Sequence, residues 1–249
     1  MPKSQARRAE PTPPPRGPPA PAEGLKVVVT KNGPYRVSGK VPLSVQFIRP
    51  NAEGMSWDWE DGKAFDAGAE YELCRCGHSK NMPFCDDSHE RVQFDGTETA
   101  TRKPYARQAE TLDGPTLALE DAEGLCAFAR FCDPGGKIWN LVEQSADPEA
   151  RRLAVREGLR CPGGRLVVHD KKSGQTVEPE LPPSIGVVED PALGVSGPLW
   201  VRGRIRVESE VGQPYEVRNR VALCRCGASV NKPFCNGSHA SIRFNDGMV

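Results

Sequence analysis

Cysteine and histidine recur twice at one spacing in this chain. CRCGHSKNMPFCDDSH runs from Cys74 to His89 and CRCGASVNKPFCNGSH from Cys224 to His239, so each segment reads C-x-C-x8-C-x3-H. Each offers three thiolates and one imidazole, a complete ligand set for a metal ion or an iron–sulfur cluster. Cys74 and Cys76 are one residue apart, so a short extended or turning backbone brings both sulfurs to one metal. Cys85 and His89 are spaced for one helical turn, which aims both side chains at a second metal. A 2Fe-2S cluster needs that two-plus-two division. Zinc also accepts three cysteines and a histidine, although structural zinc sites more often use C-x2-C or C-x4-C pairs that wrap a single tetrahedron. Spacing therefore favours the two-iron cluster and leaves a zinc site open.

The elements that must hold these ligands are short. With 37% hydrophobic and 6% aromatic residues, 249 residues supply little material for one large core, so small metal-stapled units are expected, in which ligand bonds add folding free energy. Segments such as KVVV, YRVSG, VPLSVQFI, LWVRGRIRVES and YEVRNRVAL are rich in β-branched residues and are broken by glycine or proline. They predict small antiparallel strands. One clear helix is predicted after Asp147-Pro148-Glu149, an N-cap followed by an N1 proline, with Gly158 as a stop. The first twenty-four residues hold eight prolines and read as a disordered or polyproline-like tail. Thirty-three basic residues balance thirty-three acidic ones, so no global field draws the chain to nucleic acid or an anionic membrane, and proteins are the expected partners. No long apolar run or signal-type segment is evident, which leads to the expectation of a soluble, cytoplasmic protein whose clustered cysteines bind metal.

An internal repeat organises the rest. Over the seventeen residues from Leu73 and from Leu223, twelve are identical, and GPYRVSG from Gly33 is similar to GPLWVRG from Gly197. The first copy carries an extra loop, PNAEGMSWDWEDG, whose Trp57 and Trp59 are expected to cover the site or enter the core. The shared pattern C-x-C-G-x-S-x-N-x-P-F-C-[D/N]-[D/G]-S-H resembles the CDGSH motif of mitoNEET-like iron–sulfur proteins, in a tandem, bacterial-type arrangement. The resemblance implies two 2Fe-2S clusters, one held by Cys74, Cys76, Cys85 and His89 and the other by Cys224, Cys226, Cys235 and His239. Single-motif relatives pair as homodimers, which implies that this chain builds the same pair internally and is a monomer.

A lone imidazole among thiolates raises the reduction potential and makes the ligand set sensitive to acid, so His89→Cys and His239→Cys are each expected to lower the potential and slow acid-driven cluster loss. Two positions depart from the motif. Asp87 stands at the glycine position, where a positive φ is expected, and Asn236 replaces the aspartate while keeping an oxygen able to cap a helix start. Within the motifs, Arg75 and Lys80 face Asp86 and Asp87, whereas Arg225 and Lys232 face no acid; the second site is accordingly expected to have the higher potential.

Three cysteines remain. Cys126, Cys132 and Cys161, in LCAFARFC and LRCPGGRL, resemble the pattern of single-cluster ferredoxins, but the loop between the first two has no glycine and two phenylalanines. A third cluster and a decayed insert packed with small hydrophobic thiols both stay open. His78 is read as an exposed loop residue and His169 as a surface residue. The expected fold is α+β and β-dominated, with two small CDGSH units packed as an internal pseudo-dimer around a central insert. Its expected parts are residues 1–24 as the tail, 25–100 and 186–249 as the CDGSH units, and 101–185 as the ferredoxin-like insert. No catalytic triad, phosphate loop or dinucleotide fingerprint is evident, so the expected role is non-enzymatic electron transfer or iron–sulfur cluster transfer to protein partners. A zinc-binding interaction module and a redox subunit of a larger enzyme are the alternatives.

Overall fold

A computed structural model describes residues 20–248. Most of the expected proline-rich tail lies outside the described residues. Its last part is held in place, with the Ala22 N–H donating to the Arg204 carbonyl at 3.0 Å.

The chain is mostly strand, as its β-branched segments require. The first repeat forms β1 (Lys26–Val29), β2 (Tyr35–Ser38), β3 (Leu43–Pro50), β4 (Ser56–Phe65) and β5 (Glu70–Leu73), followed by a single helical turn, α1 (Ser88–Arg91). The central segment forms β6 (Glu110–Asp113), β7 (Leu117–Asp121), α2 (Ile138–Glu143), α3 (Pro148–Arg160), β8 (Leu166–Asp170) and β9 (Gln175–Val177). The second repeat forms β10 (Ser184–Asp190), β11 (Val195–Arg202), β12 (Arg206–Ser209), β13 (Arg220–Leu223) and α4 (Ser238–Ser241).

Three sheets result, ordered β12-β1-β2-β5, β13-β11-β10-β3-β4 and β6-β7-β8-β9. In the first two, strands of both repeats meet: the second repeat adds β12 to the first sheet, and the first repeat adds β3 and β4 to the second. Strand β12 lies parallel to β1 with Lys26 opposite Arg206, and β3 lies parallel to β10 with Leu43 opposite Ile185. The two repeats consequently share one apolar core, in which Val27, Val37 and Leu43 pack with Val187, Leu199, Val207 and Leu223. Neither repeat buries its apolar strands alone. A chain poor in aromatic residues thus gains by sharing what separate metal-stapled units would have to supply twice.

The predicted helix is present as α3. Its N-cap Asp147 accepts from the N–H groups of Glu149 and Ala150 at 3.4 and 3.2 Å, with Pro148 in the first turn. Gly158 does not end it. A Cβ there would stand 2.6 Å from Val168 Cγ2, so the glycine lets α3 lie close on β8, and the helix continues to Arg160. The expected loop around Trp57 and Trp59 is instead largely β4, paired with β3. Trp59 enters the core as expected, stacked 4.5 Å from Trp200 and 4.7 Å from Phe131.

Candidate metal centres

Both ligand segments leave a strand end and return to it. The Cys74 N–H donates to the Pro83 carbonyl and the Cys85 N–H to the Glu72 carbonyl, at 2.8 and 2.9 Å. The second copy repeats this with Cys224 on Pro233 and Cys235 on Ala222, both at 2.8 Å. Inside each loop a serine hydroxyl, Ser79 or Ser229, donates to the carbonyl of Phe84 or Phe234 at 2.6 Å. These bonds explain why serine, proline and phenylalanine recur between the ligands: they close the loop that carries the cysteines.

The donors converge in pairs. Cys74 Sγ lies 3.7 Å from Cys76 Sγ, and Cys85 Sγ lies 3.4 Å from His89 Nδ1. At the second site the Cys224–Cys226 and Cys235–His239 separations are 3.9 and 3.5 Å. The eight predicted ligands therefore fall into four close pairs, two in each ligand segment. The helical-turn reading of Cys85 and His89 needs one correction: only the histidine is on the helix. Cys85 precedes it, and a left-handed residue turns the chain between them, Asp87 at φ +60° or Gly237 at φ +85°. Aspartate tolerates that region better than most residues. As expected, the preceding side chain supports the turn, since Asp86 and Asn236 accept from the N–H groups of Ser88 and Ser238 at 3.0 and 3.2 Å.

The donor set suits iron–sulfur ligation. The hydrogen bond from Cys76 pulls the Cys74 thiol down to about 6, and backbone N–H groups of the loop assist, while Cys76 is pushed up by the same bond. Cys224 is likewise pulled down to about 6 by Cys226. Each close pair thus retains one proton that a metal would displace. Burial, with the charges of Arg225 and Arg130 adding, holds His239 down at about 4, so its imidazole is neutral and able to ligate at ordinary pH.

The sites abut through their C-x-C-G segments. A Cβ on Gly77 would stand 2.6 Å from the Cys226 carbonyl oxygen, and one on Gly227 would stand 2.4 Å from that of Cys76. Both glycines have positive φ, so this position needs glycine on two counts. Tyr35 of the first repeat adds a cross-brace that the sequence did not reveal. Its buried hydroxyl lies 2.8 and 3.0 Å from the carbonyl oxygens of Cys224 and Pro233, in the second ligand loop.

The two surroundings differ in a way that counting charges within the motifs misses. Arg225 is fully buried and bonds Glu189 at 2.8 Å, Asp246, and the carbonyls of Gly197 and Val188, both at 2.9 Å. Its charge is compensated by two buried carboxylates from outside the motif, and the premise of a more positive second site fails. Arg75 is equally buried, but among the described residues it reaches only the Gly96 carbonyl, at 2.6 Å, and the rings of Tyr35 and Phe94, and its Nε and Nη1 have no partner there. The acids in β10, within the apolar run IGVVED, were the available clue to a buried cation.

Exposure differs as well. His89 lines an open surface recess with Lys31, Asn32, Gln93 and Asp95, whereas His239 is only 4% exposed. The central segment provides the cover. Phe128 lies against Gly237, where a Cβ would come within 3.0 Å of Phe128 Cβ, and Ala127 packs with Ala222 and Cys235. No such cover crowds Asp87, which is exposed, and its Oδ1 lies 3.9 Å from Cys85 Sγ. With His89 it forms a group of potential ligand atoms within 4.8 Å of one another.

Of the other histidines, His78 is exposed in the first ligand loop, as expected, and His169 lies between Glu120 and Thr176 on the central sheet, 3.2 and 3.1 Å away. No helix among the described residues is long and apolar enough to cross a membrane. No match was found among curated proteins or among solved structures. Residues 32–90 and 196–240, which contain the two predicted ligand sets, each match the family described as iron-binding zinc finger, CDGSH type, and the chain accordingly carries two CDGSH-type segments in tandem.

Proposed function

We propose that the protein binds two 2Fe-2S clusters, one on Cys74, Cys76, Cys85 and His89 and one on Cys224, Cys226, Cys235 and His239, and serves electron or cluster transfer to protein partners rather than catalysis. The observation that carries this reading is the two-plus-two convergence of donors at both sites, with a histidine Nδ1 in each outer pair. When bound, such a cluster supplies one-electron chemistry at a potential raised by the neutral ligand. The protein's own contribution is positional. The serine- and proline-closed loops hold the thiols, Gly77 and Gly227 let the two ligand loops touch, and the recess beside the half-buried His89 offers a place for a partner to dock. The second site, beneath the central segment, suits retention and relay.

The reciprocal strand exchange supports reading the two repeats as an internal pseudo-dimer, and on that reading the chain works as a monomer, soluble in the cytoplasm. Iron, sulfide and zinc analysis, with electron paramagnetic resonance of the reduced protein, tests the assignment. The expected result is red-brown protein with a 2Fe-2S signal; colourless protein holding zinc overturns it. An iron chelator is expected to strip the first site before the second, because only the first exposes its histidine edge.

A further inference from the structure

The loop joining Cys126 to Cys132 belongs to neither CDGSH site and has an unusual backbone. Phe128 and Arg130 have φ of +53° and +59°, and the residues between and beside them do not share that sign. Alternating handedness of this kind turns successive N–H groups toward one side and makes a concavity for an anion or the sulfides of an iron–sulfur cluster. Glycine usually provides such turns. Here Phe128 and Arg130 take them while Ala127, Ala129 and Phe131 are buried.

The donors so presented have nowhere to go. Among the described residues, none of the N–H groups from Ala127 to Cys132 has a protein acceptor, although those on either side do: Cys126 donates to Glu123 and Asp133 to Arg130, at 3.0 and 3.4 Å. A run of partnerless donors in a largely buried loop is costly, and native proteins satisfy such groups.

Three thiols surround this loop. Cys126 and Cys132 are its ends. Cys161 is brought in by the pairing of β7 with β8, which sets Asp121 opposite Leu166, and by Gly163, whose absent Cβ would stand 2.4 Å from the Leu125 carbonyl oxygen and 3.7 Å from Ala127 Cβ. Cys132 and Cys161 pack on the same apolar cluster. Burial pushes the Cys132 thiol up to about 12, and Asp133, Cys161 and Cys126 lie near enough to add to the effect. The three sulfurs do not form a set within 4.8 Å. Three thiols on separate segments suit a cluster whose separate irons each take one thiolate.

We propose that Cys126, Cys132 and Cys161 bind a third, cubane-type iron–sulfur cluster, with the N–H groups of residues 127–132 donating to its sulfides. Three thiolates match the three irons of a 3Fe-4S cluster; a 4Fe-4S form would leave its fourth iron to a non-cysteine ligand such as the Asp133 carboxylate beside Cys132. The site shares a wall with the second CDGSH site, since Gly237 lies 3.6 Å, measured from its absent Cβ, from the Cys126 carbonyl oxygen.

The test is iron and sulfide content and electron paramagnetic resonance of the full chain, purified and reconstituted without oxygen, in the wild type and in Cys132→Ala and Cys161→Ser. The wild type is expected to hold about three or four irons beyond those of the CDGSH sites. A signal in the oxidised state identifies the 3Fe-4S form, and one only on reduction, distinct from that of 2Fe-2S, the 4Fe-4S form. Either cysteine variant should lose nearly half of the iron and keep the 2Fe-2S signal. Wild-type protein with no cubane signal and no iron beyond the two CDGSH sites overturns the proposal, as does retention of the extra iron in both variants. Zinc in the CDGSH sites beside an intact cubane signal would refute the 2Fe-2S assignment alone.

Discussion

Replacing Asp87 by asparagine should raise the potential of the first site and leave the second unchanged. Asp87 takes the place that Gly237 occupies in the other copy, at φ +60°, and its Oδ1 lies 3.9 Å from Cys85 Sγ. Asparagine accepts the same left-handed backbone, so the change removes a charge without straining the turn. Two unit charges about 4 Å apart interact by about 1 kcal/mol in water and about 4 kcal/mol at the effective dielectric of a protein surface. Asp87 is exposed, so the lower part of that range applies. An interaction of about 1–2 kcal/mol with the added electron corresponds to roughly 40–90 mV for a one-electron couple. Redox titration followed by visible absorption and electron paramagnetic resonance should show one of two midpoints move upward by that amount, less at high salt. A midpoint that stays put, or two midpoints that move together, would refute the argument that this carboxylate acts locally on the first site.

The two buried arginines should respond differently to the same substitution. Arg225→Met strands Glu189 and Asp246, both fully buried, and should cost about 3–5 kcal/mol, or a fall in Tm of roughly 6–20 °C for a chain of this size. Arg75→Met gives up one charged hydrogen bond but also removes two buried donors without partners, terms of about 1–3 kcal/mol each that nearly cancel; equal losses of Tm in the two variants would contradict this. Glu157 is buried on the inner face of α3, with Oε1 accepting from the Gly135 N–H at 2.7 Å and Oε2 unpartnered among the described residues, and burial raises its carboxyl from 4.5 to about 7. The folded state then holds the proton more tightly than the unfolded chain, so stability falls as pH rises from 4.5 through 7, by up to about 3 kcal/mol. Glu157→Gln should remove that decline, and denaturation profiles that stay parallel across the window would show the group is not responsible.

What could be read from the residues alone followed the reach of the relevant interactions. Ligand pairing was legible because two or four intervening bonds of backbone decide which donors meet, and α3 was legible because its N-cap lies next to it in the chain. The compensation of Arg225 was not, since Glu189 and Asp246 lie 36 and 21 residues away. Strand β4 was hidden because its alternation is interrupted by charged residues, and only its pairing with β3 and the packing of Trp59 on Trp200 make it a strand. The backbone of the loop after Cys126 was illegible for a different reason. The absence of glycine counted against a cluster, yet Phe128 and Arg130 adopt the left-handed conformation that glycine would have advertised.

Strands β3 and β12 tie the two repeats into shared sheets, but the surroundings of the two candidate sites differ. A symmetric pair of separate chains would have to expose or cover both sites alike. Fusing the copies frees one residue to differ from its counterpart, and the differences agree in direction. Where the central segment sets Phe128 against the turn, glycine is favoured and the histidine is sealed; where the turn is exposed, aspartate stands beside Cys85 and the histidine lines an open recess. Cover and ligand-loop residue are therefore coupled. Phe128→Ala should open the second site to a chelator without touching a ligand, and the first site's rate of loss should be unaffected.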